Sequence, residues 1–296
     1  MMGDTGTSAR MGSPRDPVEG GTPPVIDAAF ARWLADRAGQ LLLQVREDMG
    51  YGDGSALKAA GDKAAHELLR SELARWRPAD AVLSEEDDHA RVAWRDGEHV
   101  SVRPERLGAS RVWILDPLDG TREFSEEGRT DWAVHVALWT ADCSRPNCLS
   151  AGAVAMPAQH RILATDQPPA YPPLPLSAAT GGPIRIAASR TRPPAFVTAL
   201  AEDIGADLVP MGSAGVKIAA VINGDADAYV HAGGQYEWDS AAPVAVASAT
   251  GLHASRIDGS ELKYNQADPK LPDLVVCRKD LAPRLLAALQ RHIPLA

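Results

Sequence analysis

The sequence predicts an α/β protein, with an α+β first half and an α/β second half. Three observations carry this. Two amphipathic helical patterns open the ordered part of the chain, over residues 25–49 and 61–76. Short apolar segments bounded by turn residues follow between 81 and 164, which reads as an antiparallel sheet. Beyond a proline-rich stretch, strand and helix patterns alternate to the C-terminus.

In order, residues 1–24 are rich in Gly, Pro, Ser and Thr without apolar periodicity and read as a disordered leader. In the first helix Ile26, Phe30, Leu34, Leu41 and Val45 share a face. A loop at 52–55 precedes the second, whose inward residues are Ala65, Leu68, Leu69 and Leu73. Asp62 would then sit in its first turn, where the helix dipole favours a negative charge. AVLSEE at 81–86 is a strand ending on Glu85 and Glu86, and the charged segment 87–110, with Asp96-Gly97, suits a hairpin or a loose excursion. The apolar run 112–115 is a buried strand ending on Asp116. Pro117 and Gly120 force a turn at its end. Strands follow at 131–139, 151–155 and 161–164, the last two joined at Met156-Pro157. Trp132 reads either as a residue beside that turn's site or as core.

The stretch 167–183 is the best domain boundary, dividing a metal-binding unit at 25–166 from a substrate unit at 184–296. In the second unit strands are expected at 184–189, 208–211, 226–234 and 274–277. Helices are expected at 194–203, 216–222, 238–250 and 281–290.

Composition narrows the function. The chain has 296 residues, 45% hydrophobic, and its 39 acidic against 30 basic residues give a net charge of -9. That excludes a general attraction to nucleic acid or an anionic membrane, although a bound cation would let a small anion in. Cys143, Cys148 and Cys277 have no histidine at zinc spacing, so neither a zinc site nor a disulfide scaffold is expected. No signal peptide or membrane span is legible, and a cytoplasmic protein is expected.

Three acidic motifs close apolar runs or open helices: Ser84-Glu85-Glu86, Asp116 with Asp119, and Trp238-Asp239, with Asp62 a fourth candidate. Converging carboxylates suit a hard divalent cation such as magnesium. A haloacid-dehalogenase motif is excluded because Asp119 lies three positions after Asp116, where that motif has its second acid two positions on. A dinucleotide fingerprint is excluded because GSAG at 212–215 is incomplete.

GD at 61–62, SEE at 84–86, DPLDGT at 116–121 and WDSAA at 238–242 together resemble the inositol monophosphatase superfamily of lithium-sensitive, magnesium-dependent phosphomonoesterases, over nearly all of the chain after residue 24. TREF at 121–124, GSAGVK and WDSAAP look most like its actinobacterial 3'(2'),5'-bisphosphate nucleotidases. The resemblance implies a layered αβαβα sugar-phosphatase-like fold and hydrolysis of the 3'-phosphate of 3'-phosphoadenosine 5'-phosphate, a reaction of sulfate assimilation. The alternatives are an inositol-1-monophosphatase or a fructose-1,6-bisphosphatase. It further implies two to three magnesium ions, a homodimer and direct in-line attack by water. Glu85, Asp116 and the Leu118 carbonyl would hold one ion, and Asp116, Asp119 and Asp239 a second. Glu85 and Asp62 would help place a third, and Thr121 would work with Asp62 on the nucleophile. Thr121 equally suits a helix cap. The family's threonine before the Asp62 position is missing from KAAGD at 58–62.

For the substrate, Gly120 would let the chain pass close to the phosphate, and the Gly120-Thr121 amides would favour it. At Gly212 to Lys217 free amides would suit an anion, with Ser213 and Lys217 in contact, though Lys217 also reads as a solvated helix residue. Arg190 and Arg192 would reach a 5'-phosphate or form a plain surface turn. His231 and Tyr236 would line the sugar or base side.

Overall fold

The computed structural model describes residues 22–87, 105–142, 144–173, 182–191 and 193–292. Most of the expected leader, most of the 87–110 excursion and the middle of the proline-rich stretch lie outside these. Two helices, α1 (Asp27–Met49) and α2 (Gly54–Trp76), precede strand β1 (Ala81–Ser84). Then come β2 (Arg111–Asp119), the single-turn helix α3 (Thr121–Ser125), β3 (Ala133–Thr140), β4 (Leu149–Met156) and β5 (Arg161–Ala164). The second half runs β6 (Arg185–Ser189), α4 (Ala195–Ile204), β7 (Asp207–Met211), α5 (Ala214–Asn223), β8 (Ala228–Tyr236), α6 (Glu237–Thr250), β9 (His253–Ser255), β10 (Lys270–Cys277) and α7 (Ala282–His292).

The strands form two five-stranded sheets, ordered β1-β2-β3-β4-β5 and β7-β6-β8-β10-β9. The first is antiparallel except that β1 runs parallel to β2. Side chains alternate across each strand, and the alternation builds five layers. Trp113 and Leu115 of β2 pack with α1 and α2, while Val112 and Ile114 face α5 and α6. Those two helices also pack on Tyr229, Leu274 and Val276 of the second sheet, so one apolar cluster joins both sheets. On the far side Ile186, Val230 and Val275 meet α4 and α7. This is the αβαβα layering.

Several boundaries differ from the expectation. Helix α2 starts seven residues early, because Asp53 caps it, its carboxylate accepting from the amides of Ser55 and Ala56. Asp62 therefore lies in mid-helix, and the dipole reading of it fails. In α1 the closest face is Phe30, Leu34, Ala38 and Leu42, while Leu41 and Val45 flank it and Ile26 is exposed. Small alanines, weak in a hydrophobicity pattern, carry that face. Strand β10 is longer than expected, and β9 was not anticipated. Cys148 is disulfide-bonded, a cross-link the cysteine spacing did not suggest. Among the described residues no helix is long and apolar enough to cross a membrane.

Candidate active site

Strand β2 delivers Asp116 and Asp119 at its C-terminal end, where its pairing with β3 shifts: Asp116 lies opposite His135, but Asp119 opposite Ala133. Pro117, which has no amide to give a ladder, sits at the irregularity. The Leu118 amide donates to Asp116 Oδ1 at 3.0 Å. Thr121 Oγ1 donates back to the Leu118 carbonyl at 3.0 Å, and α3 has no side-chain cap, so the capping role expected of Thr121 is not the one seen. Gly120 has φ 87°, and a Cβ there would stand 3.1 Å from the Asp131 carbonyl oxygen and 3.2 Å from the Ser213 Cβ. Its close neighbours are thus protein atoms.

Four carboxylates converge on this turn. The parallel pairing of β1 with β2 sets Glu85 beside the end of β2, its amide donating to the Leu115 carbonyl at 3.3 Å. Asp239, in the first turn of α6, accepts from the Tyr236 amide at 2.6 Å. Asp116 is 1% exposed. Burial, followed by the charges of Glu85, Asp119 and Asp239, pushes its carboxyl well above the usual carboxylate range. Burial, Asp119 and Glu85 do the same to Asp239, against the Tyr236 amide and Lys217. Buried like charges are costly unless a cation or proton joins them. Asp116, Asp119 and His135 each offer a ligand atom within 4.8 Å of one another. These residues fit a divalent cation, which carboxylate oxygens would hold.

His135 is the site residue that pattern reading missed. It is fully buried; its Nδ1 lies 3.1 Å from the Trp238 carbonyl and its Nε2 3.3 Å from Asp119 Oδ2. Burial holds its pKa below the usual imidazole value. With Nδ1 donating to Trp238, Nε2 carries the lone pair. Gly215 covers that atom so closely that a Cβ would fall 1.9 Å from it. The imidazole thus ties β3 to the start of α6 through Nδ1 and leaves Nε2 with no hydrogen to donate to Asp119, and the carboxylates remain the better cation donors. One signal was available: 133, 135 and 137 share the inward face of β3, and a histidine between two alanines is out of place there.

The GSAG turn corrects a second expectation. Its amides are not free for an anion. Gly212 N donates to Asp131 at 2.6 Å, Ala214 N and Gly215 N to Asp119 at 3.1 and 2.6 Å, and Val216 N to Ser213 Oγ at 3.0 Å. Ser213 Oγ itself donates to Asp119 at 2.5 Å. Asp119 therefore caps α5 from a strand of the other sheet, complementing its dipole. Lys217 is not solvated. Its ammonium is buried and donates to the carbonyls of Ser213 at 2.7 Å and Gly212 at 3.3 Å. Burial lowers its pKa against the opposing pull of Asp119, Glu123, Asp239 and Asp131.

The remaining candidates are spread around this centre. Gly61 lets α2 lie against Phe124 and Leu118, since a Cβ would sit 2.6 Å from the Phe124 ring, and Asp62 is the next residue of that helix. Arg190 is paired with Glu123 at 2.8 Å and Glu126 at 3.0 Å. Arg192 lies outside the described residues. His231 Nε2 meets the Gly233 carbonyl at 2.5 Å. Trp132 is fully buried edge-on to Phe124, which makes it core.

The layered fold and the acids at the ends of β1 and β2 and the start of α6 define a cation-dependent phosphatase class. The chain belongs to the inositol monophosphatase family, whose sequence pattern matches residues 26–294. Among individual proteins it is 50% identical, over 90% of its length and 94% of the other's, to a Mycobacterium leprae protein named 3'-phosphoadenosine 5'-phosphate phosphatase. To the 3'(2'),5'-bisphosphate nucleotidase CysQ of Escherichia coli K12 it is 28% identical, over 78% of this chain and 91% of that one. Its fold matches the solved structure of Mycobacterium tuberculosis SuhB with a TM-score of 0.65 and 23% identity, covering 93% of this chain and all of that one.

Proposed function

We propose that this protein is a magnesium-dependent phosphomonoesterase that hydrolyses the 3'-phosphate of 3'-phosphoadenosine 5'-phosphate to AMP and phosphate. The convergence of Glu85, Asp119 and Asp239 on the buried Asp116 carries the chemistry. Half-identity to a phosphatase named for this substrate supports the choice of substrate.

In this reading Glu85, Asp116, the Leu118 carbonyl, Asp119 and Asp239 would hold two magnesium ions, and Glu85 with Asp62 would help place a third. Bound there, magnesium supplies the positive charge that acidifies water and neutralises phosphoryl oxygens. Thr121 Oγ1 donates its hydrogen bond to the Leu118 carbonyl. Its remaining lone pairs accept from the attacking water, and Asp62 takes that water's other proton. The new P–O bond forms in line with the breaking bond to the 3'-oxygen, which leaves with that electron pair and takes a proton from solvent water, while Asp62 returns its own to solvent. Gly120 and Thr121 amides face the scissile phosphate. Lys217 and Ser213 act from the neighbouring turn, Lys217 as a buried positive charge. Arg190, with Arg192, takes the 5'-phosphate by exchanging Glu123 and Glu126 for it. A homodimer in the cytoplasm, acting on a small phosphorylated substrate and on neither nucleic acid nor membrane, completes the reading. So do a metal-binding unit at 25–166 and a substrate unit at 184–296.

A parallel assay of phosphate release tests it. The adenosine bisphosphate is expected to exceed inositol 1-phosphate and fructose 1,6-bisphosphate in kcat/KM by more than about tenfold, a margin that recognition of a distinct leaving group supplies. Equal rates would return the assignment to an inositol or fructose phosphatase of the same family.

A further inference from the structure

Asp116 and Asp119 stand on a strand of the first sheet, but Asp239 reaches the acidic centre from the first turn of α6. The charges of Asp119 and Glu85 oppose it there. A buried network outside the acidic cluster holds that turn in place. The Glu237 amide donates to the Pro269 carbonyl at 2.8 Å. The Glu237 carboxylate, 1% exposed, accepts from the amides of Asn265 at 2.6 Å and Gln266 at 2.7 Å. Further along the helix, Ser240 Oγ meets the Tyr264 hydroxyl at 3.0 Å, and both residues are buried. The segment 264–269, between β9 and β10, is thus bonded to the start of α6 through side chain and main chain alike.

Arg106, buried just ahead of β2, fastens the same segment from the first half of the chain. It donates to Asn265 Oδ1 and to the Gln266 carbonyl, each at 2.7 Å. Residues 265–266 therefore lie between an acid that takes their amides and a base that takes their oxygens. The Asn265 backbone is left-handed, with φ 58°, a conformation asparagine tolerates, and there two successive amides turn to one carboxylate. Burying an acid and a base stabilises a fold no better than apolar packing would. What charge-assisted hydrogen bonds add is direction. Here they fix where the first turn of α6 points, and Asp239 lies two residues on from Glu237.

We propose that Glu237 and Arg106 are positioning residues for the cation: through the segment 264–269 they hold Asp239 among the other acids. This rests on the magnesium part of the reading above and is independent of which phosphoester is cleaved. Groups that orient a metal's ligands in this way set its affinity without touching it.

The test is calorimetric titration of magnesium into the substrate-free, full-length protein, with Tm read alongside. Wild type is compared with Glu237→Gln, Arg106→Lys, the double variant and Leu285→Ala. Glu237→Gln keeps the shape but offers one oxygen to two amides, and Arg106→Lys keeps the charge but loses the fork. Each is expected to raise the magnesium concentration for half-occupancy about tenfold. The double variant should stay within about threefold of the weaker single one, because both changes act through one segment. Leu285 is buried in the far layer, outside the cluster shared by the sheets. Leu285→Ala should therefore lower Tm and leave magnesium binding as it was. Unchanged magnesium binding in either single variant, losses that multiply in the double variant, or an equal weakening in Leu285→Ala overturns the proposal, whatever happens to Tm. Should Glu237→Gln not fold, Arg106→Lys alone decides. Wild type that binds no magnesium overturns the reading of the site and this proposal with it. Wild type that binds magnesium but prefers another phosphoester overturns only the substrate assignment, and the same titration still decides the role of Glu237 and Arg106.

Discussion

Two strand-to-helix turns meet at Asp119, and they are put to opposite uses. The first, the bulged end of β2 at 116–119, carries two carboxylates and turns through Gly120 into a helix of one turn. The turn at 212–215 leaves β7 and enters α5, a helix long enough to develop a dipole, with its amides gathered in one place. By composition the second is the better anion site. In the folded protein that capacity is taken up internally: Asp119 receives two of its amides and the Ser213 hydroxyl, and Asp131 a third. The chemistry-bearing turn is held in place by the one that looks like a phosphate cradle. A glycine-rich helix start therefore points to an anion without saying whether the anion is a ligand or one of the protein's own carboxylates.

The division of labour can be broken one turn at a time. The largest effect is expected at the first. Asp116→Asn should lower kcat by about a thousandfold or more, the scale of losing a group that holds charge in the transition state. The metal-free variant should melt no lower than wild type, because a repelling buried charge has gone. A variant that keeps most of its activity would remove Asp116 from the centre.

At the second turn, Gly215→Ala should destabilise the protein by about 3 kcal/mol, at the upper end for overpacking, because the added Cβ collides with His135. Denaturant melts would read this, and a neutral outcome would mean that His135 is not pinned. Ser213→Ala should cost about 1–2 kcal/mol for one charge-assisted hydrogen bond lost. It should also raise the magnesium concentration needed for half-activity, because Asp119 is then held less firmly. Unchanged magnesium dependence would sever the two turns.

The smallest effect is a pH dependence. The folded-state pKa values of Asp116 and Asp239 are raised. In metal-free protein their contribution to stability is fully present below the unfolded pKa of about 4 and is lost as pH rises through the folded values. Magnesium replaces the protons, so the Tm gain on adding it should be greater at pH 8 than at pH 5.5, by a few degrees. An equal gain at both values would show that these acids do not meet the ion.

What was legible follows the same line. The acids stood out because each closes an apolar run or opens a helix, a purely local signal. The layer order was implied by the resemblance and by the change from strand runs to alternation. Contacts between distant segments were not legible. Ser213 meets Asp119 across 94 residues, and no spacing announces that the amides of one turn are spent on the acid of another. His135 was lost inside an alternating strand, where only its inward phase distinguished it. Asp62 was misplaced because a helix that starts on Gly54 and Ser55 has its cap, Asp53, in what reads as a loop.

The helices α5 and α6 lie between the sheets and pack on both, in a single apolar cluster. Among the described residues this shared core ties the two sheets into one frame. With that core intact, substrate and product are expected to exchange past the rim of the acid-lined turn. A covalent staple placed across the two sheets, away from that rim, should therefore leave turnover as it was.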